Sequence, residues 1–199
     1  MIWWCKVRAA AAVVAATAGT VVIGLVVGNV ELPIPVLTGQ SGQFLLAHLM
    51  TLIPAVTVLY GVGRGSVTER VSVRNVRSWD AAYGVCVAAA GLLCALAGYL
   101  ALDSDLAVVL GRNLAGYIGL ALLLQPLLGS QLTGGALAAI PLVLAASGWK
   151  AGGAPEPWAW LLHPADSALA GLTALGVVCA GTAVSALWSR PPLRIFDHL

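Results

Sequence analysis

Arg112 is the one permanent charge set inside an apolar run, and Asn113 stands beside it. A span entering from the outside near Leu106 carries Arg112 about 9 Å deep at roughly 1.5 Å per residue. By the same rise, a span entering near Gln43 carries His48 to about 8 Å. His48, Arg112 and Asn113 are therefore expected to share one polar layer in the outer leaflet of a membrane. Glu31, Asp103 and Asp105 stand at its rim as anionic partners. Charges at such depth are expensive and mark substrate, ion or proton routes. The plainer role is that Arg112 snorkels to the outer headgroups or closes one buried pair. His48 has no second histidine or carboxylate one turn away, and a lone histidine on an apolar helix is more often a hydrogen-bonded core residue than a relay.

Catalytic patterns are missing. The chain has no G-x-x-x-x-G-K-[ST], G-x-S-x-G or H-E-x-x-H, and no paired intramembrane aspartates. That disfavours P-loop hydrolysis and intramembrane proteolysis. His163, in LLHPADS, has no evident partner nucleophile. Cys5, Cys86, Cys94 and Cys179 form no C-x-x-C pair, and no histidine completes a zinc site. They read as small buried hydrophobes in reduced form. No catalytic residue, metal or cofactor is expected.

The elements that position these residues follow from composition. Hydrophobic residues make up 60% and charged residues 9% of the chain, with a mean hydropathy of +0.94. Those values lie outside the range of soluble domains. A soluble fold of 199 residues still exposes a large area and has no means of hiding this much apolar surface. The net charge of +2 is too small to argue for nucleic acid. An all-α integral membrane protein is expected, with six transmembrane helices at about 9–30, 43–60, 81–102, 106–127, 132–149 and 168–188, within one polytopic domain 1–199.

Orientation comes from the basic residues. Lys6, Arg8, Arg64, Arg70, Arg74, Arg77, Arg190 and Arg194 fall on one side, and only Lys150 falls in a loop on the other. The positive-inside rule then puts both termini and segment 61–80 in the cytoplasm. Segment 150–167 is external, and Trp158 and Trp160 suit the headgroup interface there. Pro54 should kink span two and free a carbonyl for a neighbour. Ser104 is placed to cap span four, and residues 129–134 make a tight inner turn before span five. That span is only just long enough, so a re-entrant path is its alternative. Gly24/Gly28, Ala115/Gly119 and Gly176/Ala180 have the spacing of close helix contacts, although Ala and Gly are so common that any single match is expected by chance.

Segment 61–80 is the one long polar stretch between apolar spans. As a helix, Arg70, Arg74 and Arg77 form a basic stripe; as a strand, Val71 and Val73 alternate with polar neighbours. A helix on the inner surface is preferred. It would bind anionic lipid, worth about 1 kcal/mol per basic residue, or dock a cytoplasmic protein with Glu69 adding specificity.

The ordering resembles small six-span membrane proteins of GC-rich bacteria described as ABC-2-type permeases or permease-like proteins. It rests on the Glu-then-Arg inner loop (Glu69, Arg70, Arg74), on RNLAGYIGLALLLQPLLG in span four, and on Trp158-Ala159-Trp160 in the last external loop. The resemblance implies a permease subunit, in the exporting direction, in the bacterial cytoplasmic membrane. Its partners would be a separate ATPase, a second permease copy or homologue, and membrane lipid. Arg64, Glu69, Arg70, Arg74 and Arg77 would be the coupling residues, and 155–163 the external element before the last span. Two other functions stay open. One is a non-catalytic scaffold within a larger complex. The other is a six-span uptake subunit with its site at His48 and Arg112.

Overall fold

Long runs of Ala, Val, Leu and Gly leave the backbone as the main polar group needing partners, and in hydrocarbon a helix supplies those partners internally. The computed structural model describes residues 6–32, 44–64, 76–150 and 152–187. Its elements are α1 (Ala10–Val27), a ribbon of β1 (Glu31–Leu32) and β2 (Phe44–Leu45), α2 (Leu46–Met50), α3 (Leu52–Gly63), α4 (Val76–Leu102), α5 (Asp105–Ser147), a 3-10 turn (Trp160–Leu162) and α6 (Ala168–Leu187). Among the described residues, five helical stretches are long and apolar enough to cross a membrane: Ala10–Val27, Leu46–Gly63, Ser78–Leu102, Asp105–Ser147 and Ala168–Leu187.

The fourth stretch holds the principal difference from the expected spans. Spans four and five are one assigned helix of 43 residues, broken only at Gly129 (φ 79, ψ 166). Unbroken, it would run about 65 Å. Instead Gly148 lies against Ala159 and Leu162, and Gly116 lies against Trp160 of the same short segment. Residues 130–147 therefore fold back along 105–128. The turn needs one residue rather than the six expected, because Gly129 adopts a backbone region essentially closed to other residues. Gly129→Ala should destabilise by about 1–3 kcal/mol. Gly135→Ala, at an open helical position with nothing nearby, should be neutral or stabilising by up to about 1 kcal/mol. Thermal unfolding of the two variants in detergent checks the pair.

The first arm of α5, from Leu106 to Leu122, is the buried centre, while the second arm, like α1, α4 and α6, keeps an exposed outer face. Leu114, Tyr117, Ile118 and Leu122 meet Val58 and Leu59 of α3, Val87 and Ala88 of α4, and Ala170 and Ala174 of α6. Neighbours touch at matching depths: Gly24 on Leu110, Gly91 on Leu114, Gly119 on Val177 and Val178. Successive segments thus run in alternating directions, which defines two ends. One gathers Arg8, Val62, Asp80 and the Gly129 turn. The other gathers the ribbon, α2, the start of α5 and residues 148–167.

Smaller differences have local causes. The chain is mostly helical, as expected, with one two-residue antiparallel ribbon pairing Glu31 with Leu45 and Leu32 with Phe44, extended by Leu46 N–H to Val30 O at 2.9 Å. The second stretch is interrupted at Thr51, three residues before Pro54. Proline at 54 removes the N–H that would bond Met50 O and crowds that carbonyl. Thr20 of α1 turns its hydroxyl to Met50 O, at 3.5 Å. α4 begins at Val76 rather than near residue 81. Ser104 takes the extended backbone of an N-cap but makes no side-chain cap bond; its carbonyl accepts from Ala107 N–H at 3.0 Å. Cys86, Cys94 and Cys179, expected to be buried, are exposed on the outer faces of α4 and α6. A thiol is apolar enough to sit there as the surrounding Ala and Leu do.

Candidate functional site

Arg112 and Asn113 form one polar cluster, with partners other than those expected. Arg112 and Asn113 lie on the first helix of the hairpin and are buried, at 6% and 0% exposure. Arg112 does not pair with Glu31, Asp103 or Asp105, nor does it reach outward. Its Nη1 donates to Pro164 O at 2.8 Å, its Nη2 to His163 O at 2.6 Å, and its Nε to Asn113 Oδ1 at 3.3 Å. Asn113 Nδ2 donates to Leu161 O at 3.2 Å. These carbonyls lie at and just beyond the end of the 3-10 turn, where helical carbonyls lose their own N–H partners. A planar fork with several donors suits such a cluster. This polar cluster is a clamp that holds the connecting segment against α5.

That segment is itself tied together. His163 Nε2 lies 3.1 Å from Glu156 O, and its Nδ1 lies 3.1 Å from Ser167 Oγ. Ala159 N–H bonds Glu156 O at 2.9 Å. His163 therefore has a hydroxyl partner four residues on, which the sequence reading missed. Ser167 Oγ also accepts from Ala170 N–H at 3.4 Å, as a cap of α6. The i, i+4 spacing of His163 and Ser167 was the available signal.

Trp158 and Trp160 part company. Trp158 is half exposed, whereas Trp160 is buried. Its six-membered ring occupies the place a side chain at Gly116 would take, and it meets the Tyr117 ring edge-on at 6.3 Å. The absent side chain at Gly116 admits the indole, and that opposition across 44 residues is invisible along the chain. Tyr117 Oη, Thr133 Oγ1 and Trp149 Nε1 are buried and make no hydrogen bond among the described residues.

His48 is buried at 3% exposure on the five-residue α2. Its Nδ1 accepts Leu45 N–H at 3.3 Å, and its ring lies 5.2 Å from that of Phe44. This is the reach-back that Glu or Gln makes in a capping box, so His48 closes a helix start. It requires Nδ1 to be unprotonated.

At the opposite end Arg8, 1% exposed, makes a two-pronged pair with Asp80: Nε to Oδ1 at 2.9 Å and Nη2 to Oδ2 at 3.0 Å. Its Nη1 donates to Val62 O at 3.3 Å. Val62 and Asp80 lie at the two ends of the basic segment, so one guanidinium pins both. Arg64 follows α3, exposed, with its guanidinium 5.3 Å from the Tyr60 ring centre. Arg77 lies in the first turn of α4. Glu69, Arg70 and Arg74, and with them the preferred helix on the inner surface, lie outside the described residues.

A scan against protein-family models, a search of curated proteins and a search of solved structures each found no match.

Proposed function

We propose that this chain is the membrane-spanning subunit of a transport system in the bacterial cytoplasmic membrane. It crosses six times, with α5 supplying two of the crossings and both termini inside, and it works with a separate ATPase and a second permease copy or homologue. The observation that supports a mechanical role is the convergence of both ends of segment 61–80 on Arg8. A force on that segment reaches the starts of α1 and α4 and the end of α3 together, through one buried guanidinium. Those helices pack against α5, so displacing them repacks its buried first arm, as bistable interfaces do.

The experiment is purification in mild detergent followed by identification of what travels with the chain. Arg70→Glu, Arg74→Glu and Arg77→Glu together should lower recovery of a P-loop ATPase on the order of tenfold or more, since like charges brought together cost several kcal/mol. Retention of the ATPase by the triple variant counts against coupling through this segment. A scaffold in a larger complex is the second reading. It is favoured by Arg112, which ties the carbonyls of His163 and Pro164 to α5 and so serves to hold one segment against another. Under it, stable neighbours co-purify and no ATPase does.

A further inference from the structure

We propose that the face of α5 beneath residues 156–167 is a binding site for an oxyanion, a carboxylate or phosphate group. Residues 156–167 are the lid that fills it in the closed form. Arg112, Asn113, Gly116 and Tyr117 stand at i, i+1, i+4 and i+5, one stripe of the helix. Three of them carry hydrogen-bond donors, and all four meet the lid or its tryptophan.

In the closed form Arg112 Nη1 and Nη2 and Asn113 Nδ2 end on three neutral backbone oxygens, those of Pro164, His163 and Leu161. A guanidinium fork takes a carboxylate or phosphate through two parallel bonds, each roughly twice as strong as its neutral counterpart. The lid carbonyls thus hold the places such a ligand would compete for. The Tyr117 hydroxyl is the second sign of a ligand. It is buried on the same stripe and makes no hydrogen bond among the described residues, and its ring meets that of Trp160 edge-on. Side chains on a helix lean toward its N-terminus, which turns the phenol toward Asn113.

The lid is built to move as one body. Its internal bonds, His163 to Glu156 O and to Ser167 and Ala159 to Glu156 O, survive its withdrawal. Withdrawal breaks the contacts to Arg112 and Asn113, the seat of Trp160 on Gly116, the packing of Ala159 and Leu162 on Gly148, and the Glu156 N–H bond to Gly148 O. Before it, Gly152 and Gly153 have open space around them, and Gly153 holds a left-handed φ of 75, a conformation glycine adopts without strain. This inference deepens the transport reading by naming the class of molecule bound, and rests on it only for the lid facing outward.

The test uses the full chain in a neutral maltoside detergent, with its four native cysteines replaced by serine and Leu161→Cys as reporter. Leu161 belongs to the lid and is fully buried in the closed form. Reaction with a water-soluble maleimide is timed alone, with inorganic phosphate, with acetate, and with phosphatidylglycerol. Oxyanion binding should speed labelling about tenfold by shifting the lid toward its open form. A rise with phosphate or acetate identifies a soluble anion, and a rise with phosphatidylglycerol alone identifies a lipid headgroup. Arg112→Lys, which keeps the charge but loses the fork, should abolish most of the rise. No acceleration by any probe, or an equal rise with Arg112→Lys, overturns the proposal. The assay needs no ATPase, so a positive result stands even if the coupling experiment fails.

Discussion

Asp80→Ala is expected to destabilise the bundle by about 3–5 kcal/mol, because it strips the carboxylate from a guanidinium that has almost no contact with solvent. Arg8 is held through two nitrogens to Asp80 and through a third to Val62 O. Taking away one partner of a buried pair leaves the desolvation of the other uncompensated. Replacing both, as Arg8→Met with Asp80→Leu, should recover most of the loss, since apolar side chains of similar size often substitute for a buried pair without net penalty. Unfolding in mixed micelles with rising denaturing detergent measures both. The single variant falling below wild type and the double rising back toward it is the expected pattern. Equal losses in the two would make the site a matter of packing alone. The double variant also probes function, because it keeps the bundle while removing the staple at the base of the basic segment. A transport subunit that relays force through Arg8 loses coupling in this variant even as its stability returns.

Composition and apolar run length made the helices legible, along with the alternation of direction that the contacts reproduce. They did so because long apolar runs leave the backbone as the main polar group, and a helix satisfies it internally. Arg8 and Asp80 were both visible as charges at span ends. Their pairing was not, since 72 residues separate them and nothing in a linear pattern says which helix starts become neighbours. Arg112 and His48 were visible as polar residues in apolar runs, but their partners were not. Backbone carbonyls carry no sequence signature, and it was carbonyls at the end of the 3-10 turn that Arg112 found. For His48 the missing information was the interruption at Thr51, which sets a short helix at the head of the second stretch. The ribbon ends at Leu45, so His48 falls in the first turn of α2, where its ring serves the backbone. Trp160 was read by type, as an interfacial residue, when its place was decided by the missing side chain at Gly116.

The small-residue spacings separate in the same way, and they carry the other large prediction. Gly176 has nothing within reach of a side chain, whereas a Cβ at Gly119 would fall 2.7 to 2.9 Å from backbone atoms of Val177 and Val178. Gly181 rests in turn on the backbone at Gly119. Without a hydrophobic drive between helices in lipid, such close backbone approach is a main source of association. A flexible side chain can swing aside; a helix backbone moves only as a whole. Gly119→Leu should therefore push α6 off α5 at the high end of overpacking, about 3 kcal/mol. Gly176→Leu should change stability by less than about 0.5 kcal/mol. The displacement also has a direction. α6 begins one residue past Ser167, the last of the lid's internal contacts, so tilting α6 drags that end of the lid away from Arg112. Gly119→Leu should consequently speed labelling of the Leu161→Cys reporter without any anion present, and Gly176→Leu should not. If Gly119→Leu lowers stability while the reporter stays protected, the lid is anchored by α5 alone.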